Sequence, residues 1–134
     1  MRYIKCAGMI FLKNGKILLE DRRKICKHGE HWSFFGGCIE EGETIKQALR
    51  RELFEETSYR PNKYEFFKKY VFKVNNLHLT YYMFMAEMPH ISKLKIHKKA
   101  GTKIATIKQA LKLKITEQDK IILRDILKIK SPKY

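Results

Sequence analysis

The stretch from Gly37 to Tyr59, GCIEEGETIKQALRRELFEETSY, constrains this chain more than any other part of its sequence. Its middle predicts an amphipathic helix. Thr44 is a favourable N-cap residue, and Gln47 three positions later completes a capping box. Apolar residues then recur at steps of three and four, so one stripe of the helix is expected to be buried. The residues of this stripe are Ile45, Ala48, Leu49 and Leu53.

Three glutamates lie on one face of the predicted helix, at positions i, i+3 and i+4: Glu52, Glu55 and Glu56. Carboxylates at this spacing repel each other, and the negative end of the helix dipole adds to the cost. A bound cation would offset that cost. Because carboxylates are hard oxygen ligands, they suit Mg²⁺ or Mn²⁺ better than Zn²⁺. The helix therefore predicts a site for a divalent metal.

The stretch resembles the Nudix box, whose pattern is Gly, five residues, Glu, seven residues, then Arg-Glu-aliphatic-any-Glu-Glu-any-Gly-aliphatic. Ser58 stands in place of the family's last glycine, and Tyr59 in place of its aliphatic residue. The preceding stretch 32–37, WSFFGG, is similar to the family's Trp-any-any-Pro-Gly-Gly, with Phe35 replacing the proline. A solvated helix with this spacing by accident is the alternative, and the number of matching positions argues against it. The matches are Gly37, Glu43, Arg51, Glu52, Leu53, Glu55 and Glu56.

The resemblance implies an α/β/α sandwich, in which a mixed β-sheet lies between the box helix and a C-terminal helix. With 134 residues and 44% hydrophobic residues, residues 1–134 are expected to form one globular domain. Runs of apolar, β-branched and aromatic residues predict strands at 3–12, 16–21, 64–74, 77–85 and 103–105. Turns are expected at Asn14-Gly15 and Asn75-Asn76.

The C-terminal part predicts a short helical turn at 106–111 and a last helix that opens at Thr116-x-x-Asp119. Its buried side is expected to contain Ile121, Ile122, Leu123, Ile126, Leu127 and Ile129. Residues 128–134 are expected to fray. The aromatic residues of the strands are expected in the core, with one of them stacking on a base: Phe66, Phe67, Tyr70, Phe72, Tyr81, Tyr82 and Phe84.

The resemblance also implies the metal ligands. Glu52, Glu55 and Glu56 would hold Mg²⁺, with Mn²⁺ as a substitute, and the backbone carbonyl of Gly36 would help. Some family members add a glutamate from the loop before the last strand. No acid lies between residues 89 and 114, so Glu87 is the nearest candidate.

Two further roles follow from the resemblance. Glu43 would pair with Arg51 and fix the loop against the helix, and direct binding of substrate by Arg51 is the alternative. Glu52 is the first candidate for the general base, with another carboxylate or a metal-held water as alternatives.

Candidates for substrate binding lie just before the box. Arg22 and Arg23 begin a polar loop, 22–31, whose cations are close enough in sequence to reach bound phosphates; a solvated loop is the equal alternative. Gly37, next to another glycine, lets the backbone approach a ligand closely. His28 and His31 have the spacing of metal ligands, but a zinc site is not predicted because no third ligand is nearby.

The formal net charge of +15 predicts attraction to polyanions, although a lysine-rich composition without a functional role explains it as well. No apolar run is long enough to span a bilayer, and the N-terminal stretch lacks a cleavage site. Cys6, Cys26 and Cys38 are odd in number and lack ligand spacing, which predicts reduced, mostly packed thiols. A cytoplasmic monomer or homodimer without membrane contact is expected.

The resemblance implies Mg²⁺-dependent hydrolysis of a nucleoside diphosphate linked to another group. The small size and the 32–37 stretch are most similar to the MutT-like branch, which acts on (d)NTPs as a pyrophosphohydrolase. A 5′-triphosphorylated RNA end is an alternative substrate, because phosphate contacts would use the positive charge. A catalytically idle domain that binds nucleotide or RNA is an alternative of another class. The intact acidic cluster argues against it.

Overall fold

The structure is a computed structural model that describes residues 1–24, 29–96 and 101–134. In these ranges it contains seven strands, two α-helices of more than two turns, one short α-helix and a single turn of 3₁₀ helix at Ile91–Lys93. The strands are β1 (Arg2–Lys13), β2 (Lys16–Asp21), β3 (Trp32–Ser33), β4 (Phe35–Cys38), β5 (Glu65–Val74), β6 (Leu77–Glu87) and β7 (Thr102–Thr106). The α-helices are α1 (Ile45–Thr57), α2 (Ile107–Ala110) and α3 (Glu117–Leu127).

The strands form one mixed sheet, with β1 at its centre. β1 pairs in parallel with β6 along its length, from Arg2 opposite Leu77 to Leu12 opposite Glu87. On its other edge β1 pairs antiparallel with β2 and β4. β5 follows β6 as an edge strand, and β3 and β7 both pair with β2. The predicted mixed sheet is confirmed.

The sheet is covered on both faces, which explains the continuous apolar run in β1. Met9 and Phe11 pack toward α1, in a cluster that includes Leu49 and Leu53. Ile10 and Leu12, on the opposite face of β1, pack toward α3, in a cluster with Ile122, Leu123 and Ile126. The expected α/β/α arrangement is therefore present, and β1 is buried between its two layers. Within the described residues no helix is long and apolar enough to cross a membrane.

Local signals predicted the element ends well. Thr44 caps α1 through the complete capping box with Gln47, and Thr116 caps α3 by accepting from the backbone N–H of Asp119. Asn14 and Asn75 both adopt positive φ at the hairpin turns, with values of 50° and 55°. These features depend on neighbouring residues only, so the sequence was sufficient to predict them.

Several predictions of burial were wrong. Phe66 is 54% exposed, because β5 is an edge strand with an irregularity between residues 66 and 68. Ile121 and Leu127 are 41% and 48% exposed, because α3 buries a narrower stripe than its apolar content suggests. The tail has no helix or strand after α3, but Tyr134 packs against the core rather than fraying. Part of the expected basic loop, residues 97–100, lies outside the described residues.

The C-terminus of α1 retains a left-handed backbone at Ser58, with φ 56° and ψ 17°, and the Ser58 N–H donates to the Phe54 carbonyl at 2.9 Å. A residue with a Cβ is strained in this conformation. Ser58→Gly is therefore expected to raise the free energy of unfolding by about 1 kcal/mol, measured by urea denaturation. Ser58→Ala keeps the strain and is the control. If the glycine variant is no more stable than the alanine variant, strain at this cap does not limit stability.

Candidate active site

The site is built around two glycines of β4 that lie against β1. Gly36 pairs with Gly8, and its φ of 141° belongs to a region that favours glycine. A Cβ at Gly36 would collide with the carbonyl oxygen of Ala7, and a Cβ at Gly37 would collide with the carboxyl group of Glu52. Gly36 therefore requires glycine, whereas a side chain at Gly37 would displace the carboxyl group of Glu52. The backbone of β4 lies directly on an acid of α1.

Arg51 ties α1 to the loop before it. Its Nε and Nη2 donate to the two carboxylate oxygens of Glu43 at 2.8 and 2.9 Å. Nη2 also donates to the carbonyl of Cys38 at 3.1 Å, and Nη1 donates to Glu52 at 2.9 Å. Hydrogen bonds from Arg51 and from the backbone N–H of Glu40 lower the pKa of Glu43 to about 2. Arg51 and Glu43 are thus paired in the way that the sequence suggested, and Arg51 orients Glu52.

The three glutamates of α1 lie in different surroundings. Glu52 is mostly buried and bound to Arg51. Glu55 is more than half exposed, 3.3 Å from Nη1 of the same arginine. Glu56 points inward and accepts a hydrogen bond from the N–H of Gly36 at 2.9 Å. In the described ranges no three His, Cys, Asp or Glu side chains form a preassembled metal cluster.

A fourth acid, which the sequence analysis did not select, meets Glu56. Glu20 of β2 is 4% exposed, and among the described residues its Oε2 has no hydrogen-bond donor. Burial and the facing carboxyl of Glu20 raise the pKa of Glu56 to about 10. Two carboxylates offer only acceptors, so they can bond to each other only when one of them holds a proton. The alternation of β2 was the available signal, since Glu20 shares the face of buried Leu18.

These residues fit a divalent cation by two observations of the structure. The buried Oε2 of Glu20 lacks a hydrogen-bond donor in the described residues, and Glu20 faces a second carboxyl group, that of Glu56, which accepts from the N–H of Gly36. The side chains that Glu20 and Glu56 offer as metal ligands end in carboxylate oxygens, which Mg²⁺ and Mn²⁺ prefer. The ligand roles of Glu52, Glu55, Glu56 and the Gly36 carbonyl stay predictions.

Glu87 does not belong to this site. It is exposed near the end of β6, opposite Leu12 of β1. The glycines of β4 pair with β1 around Gly8. Four residues along a strand correspond to about 13 Å. This separation argues against Glu87 as a late metal ligand, and that role stays a prediction.

A cleft of about 280 Å³ opens beside the two glycines, which form part of its wall together with Gly8 of β1. Tyr81 of β6 and Asp119 of α3 also line it. Asp119 is buried, and burial together with the charge of Glu30 raises its pKa to about 7. The cleft thus combines apolar walls with a carboxyl group that can donate or accept hydrogen bonds near neutral pH.

The structure separates the two arginines that the sequence selected. Arg22 lines the cleft, 3.6 Å from both Glu20 and Glu30, and its buried Nε lacks a hydrogen-bond acceptor in the described part of the chain. Arg23 is not among the residues that line the cleft. It binds Asp21 at 2.6 Å and lies 5.3 Å from the ring of Trp32.

The cysteines differ from the expectation of packed thiols. Cys38 is exposed and Cys6 is half-buried, and both are reduced. Their Sγ atoms are 4.0 Å apart across β1 and β4, at the wall of the cleft. Cys26 and His28 lie outside the described residues.

The NUDIX domain family model matches residues 2–126. The chain belongs to the Nudix family. It is 32% identical to the 8-oxo-dGTP diphosphatase of Escherichia coli (strain K12) over 80 residues, which cover 60% of this chain and 62% of that protein. It is 41% identical to the CTP pyrophosphohydrolase of the same organism over 56 residues, 42% of each chain. These alignments therefore span less than two thirds of the relatives' length.

Two solved structures extend the likeness to nearly the whole Nudix chain. The solution structure of the E. coli ORF135 protein is 26% identical with a TM-score of 0.71, covering 95% of this chain and 90% of that one. The MutT protein from Methanosarcina mazei Go1 has a TM-score of 0.76 at 16% identity, covering 96% and 97%. The second likeness shows the fold alone.

The lowered pKa of Glu43 predicts a pH dependence of stability for this Nudix domain. Its ordinary value is 4.5 and its folded value is about 2, so the carboxylate favours the folded state above pH 4.5, and this contribution is lost as the pH falls toward 2. The melting temperature of wild type should exceed that of Glu43→Gln above pH 4.5, and the gap should close on acidification. Glu41→Gln, which removes an exposed acid of the same loop, is the control. A gap that stays constant with pH would contradict this account.

Proposed function

We propose that this Nudix protein hydrolyses a nucleoside triphosphate at a phosphoric anhydride bond with the help of Mg²⁺. The observation that carries the proposal is the position of Gly36 and Gly37, which lie between the acidic site on α1 and the cleft. A substrate with its base in the cleft would therefore extend its phosphates across the glycine backbone toward the acids. This arrangement suits hydrolysis of the anhydride bond between the phosphate nearest the nucleoside and the terminal phosphates.

The relatives support a nucleotide substrate. They have the names of an 8-oxo-dGTP diphosphatase, a CTP pyrophosphohydrolase and, in Danio rerio, an oxidized purine nucleoside triphosphate hydrolase. These names differ in the base but share the triphosphate. The expected products are a nucleoside monophosphate and pyrophosphate, as in a pyrophosphohydrolase of MutT type.

The chain's own residues have separable tasks in this reaction. When bound, Mg²⁺ would neutralise the phosphate oxygens, which otherwise repel an attacking water. Glu52, held against Gly37 and oriented by Arg51, is our candidate to accept the proton of that water. Arg22 is a cation in the cleft whose Nε–H makes no hydrogen bond within the described ranges, and it is our candidate to bind a phosphate oxygen. Glu43 does not meet the substrate and acts by holding Arg51.

The cleft is our candidate for the base. Tyr81 offers a ring at its wall, and Asp119 offers a buried carboxyl group whose pKa of about 7 lets it be a donor or an acceptor. A base presents both kinds of hydrogen-bonding group on its edge. Asp119 would therefore contribute to binding rather than to bond cleavage.

RNA with a 5′-triphosphate is the second candidate substrate. The net charge of +15 favours it, and so does Trp32, whose ring lies 5.3 Å from Arg23 and 5.6 Å from Lys103 outside the cleft. An aromatic ring between two cations suits a nucleotide beyond the first. RNA binding predicts a steep loss of affinity with salt, whereas a free nucleotide predicts a shallower one.

The proposed function is tested by incubating the protein with Mg²⁺ and a substrate panel, with products read by mass spectrometry. The panel contains nucleoside triphosphates, their oxidised forms, ADP-ribose, diadenosine polyphosphates and 5′-triphosphate RNA. We expect pyrophosphate and a monophosphate from nucleoside triphosphates, and a loss of roughly 100-fold or more in Glu56→Gln. Omission of Mg²⁺ should abolish the reaction. Glu117→Gln, which changes an exposed acid of α3, should retain full activity.

Failure across the panel, with intact folding, would overturn the proposed hydrolysis. The idle nucleotide- or RNA-binding domain would then be favoured. Product from RNA alone would move the proposal to the second substrate.

The role of Asp119 predicts a separation of kinetic constants. Asp119→Ala should raise KM for the preferred nucleotide roughly tenfold with a smaller change in kcat, because the contact to the base is lost in the ground state and the transition state alike. Asp119→Asn keeps a donor and an acceptor and should have a KM closer to wild type. A fall in kcat at unchanged KM in the alanine variant would contradict binding of the base by Asp119.

A further inference from the structure

Glu20 has an unusual position for an acid in a strand. The alternation of β2 directs Glu20 to the α1 face with Leu18, while Ile17 and Leu19 belong to the cluster on the α3 face. Only 4% of Glu20 is exposed. Burial of a carboxyl group costs free energy unless hydrogen bonds or opposite charges compensate it. The contacts of Glu20 therefore bear on its role.

The contacts of Glu20 leave it incompletely satisfied. Its Oε1 lies 3.6 Å from Nη1 of Arg22, which is an ion pair but longer than a hydrogen bond. Arg22 is shared, since its Nε lies 3.6 Å from Glu30. Oε2 of Glu20 has no donor within the described ranges. A residue that served only to pair with Arg22 would be expected to use this oxygen as well.

Besides Arg22, the carboxyl group of Glu20 meets the carboxyl group of Glu56. Glu56 is fixed from its other side by the N–H of Gly36 at 2.9 Å. A buried and a half-buried carboxyl group therefore face each other between β2 and α1, next to the glycine backbone that we place under the phosphates. Such a pair is stable only with a proton or a cation between its oxygens.

We propose that Glu20 is an additional ligand of the divalent cation, so that the cation is held between a strand residue and the Nudix-box residue Glu56. The acidic helix alone offers Glu52, which is occupied by Arg51, and Glu55, which is more than half exposed. Glu20 is buried, Glu56 is half-buried, and the two carboxyl groups face each other. They supply the part of the site that needs least rearrangement. The inference rests on the metal requirement of the proposed function but not on the identity of the substrate.

The test is binding of Mn²⁺ to the purified protein without nucleotide, measured by the electron paramagnetic resonance signal of free Mn²⁺. Glu20→Gln should raise the Kd for Mn²⁺ by about tenfold or more, because the amide oxygen is a weaker ligand than a carboxylate. Asp21→Asn is the matched control, since Asp21 is the next residue of β2 and binds Arg23 instead. The control should stay within about twofold of wild type.

A second measurement separates a ligand from a structural acid. In EDTA, Glu20→Gln should melt at the temperature of wild type or above it, because the amide can donate to Glu56 and ends the repulsion between the two carboxyl groups. A structural partner of Arg22 would behave in the opposite way: Glu20→Gln would lower the melting temperature in EDTA and leave the Kd for Mn²⁺ unchanged. That result would overturn the inference. Glu20→Asp, which keeps the charge on a shorter side chain, should show an intermediate Kd.

Glu56→Gln distinguishes the inference from the proposed function. Weak Mn²⁺ binding in Glu56→Gln together with normal binding in Glu20→Gln would overturn the role of Glu20 and leave the proposed hydrolysis standing. Weak binding in both variants supports the inference. Wild-type protein that binds no Mn²⁺ would overturn the inference, and the hydrolysis assay would decide the proposed function separately.

Discussion

The close approach of β4 to β1 and α1 is the constraint on which the site depends. Gly36 leaves no room for a side chain beside the carbonyl of Ala7, and Gly37 leaves none beside Glu52. With the backbone this close, a Gly36 N–H can reach Glu56, and Arg51 can reach the carbonyl of Cys38. Gly36 is therefore a structural requirement, and Gly37 leaves the carboxyl group of Glu52 in its place. The site exists because the strand can lie directly on the helix.

One helix presents acids to two different environments. On the outer side, Arg51 binds Glu43 and Glu52 and keeps negative charge compensated near solvent. On the inner side, Glu56 meets Glu20 between α1 and β2. There, Oε2 of Glu20 has no hydrogen-bond donor among the described residues. The same residue type thus anchors Arg51 on one side and forms a pair of facing carboxyl groups on the other. The difference between the two sides is whether the glutamate contacts Arg51, as Glu43 and Glu52 do.

The sequence predicted the features that depend on neighbours along the chain. The capping box of Thr44 and the turn at Asn14-Gly15 are local, and the box motif predicted the helix, the mixed sheet and the glycine pair. Features that depend on packing were missed. Glu20 and Asp119 become site residues only because the folded sheet and α3 bring them to Glu56 and to the cleft. The prediction that Phe66 is buried failed because burial also depends on packing. An apolar residue on an edge strand has too few neighbours to cover it.

The parallel pairing of β1 with β6 has a consequence for the order in which this fold can form. β1 and β2 are joined by a short turn, so they can meet early, but residue 2 finds its partner only at residue 77. Contacts between such distant segments form slowly, because a long loop must close before any of them stabilises the chain. Until β6 arrives, one edge of β1, with its apolar side chains, is open to other chains. The central strand of the native sheet is therefore also the part of the chain that most needs protection during synthesis.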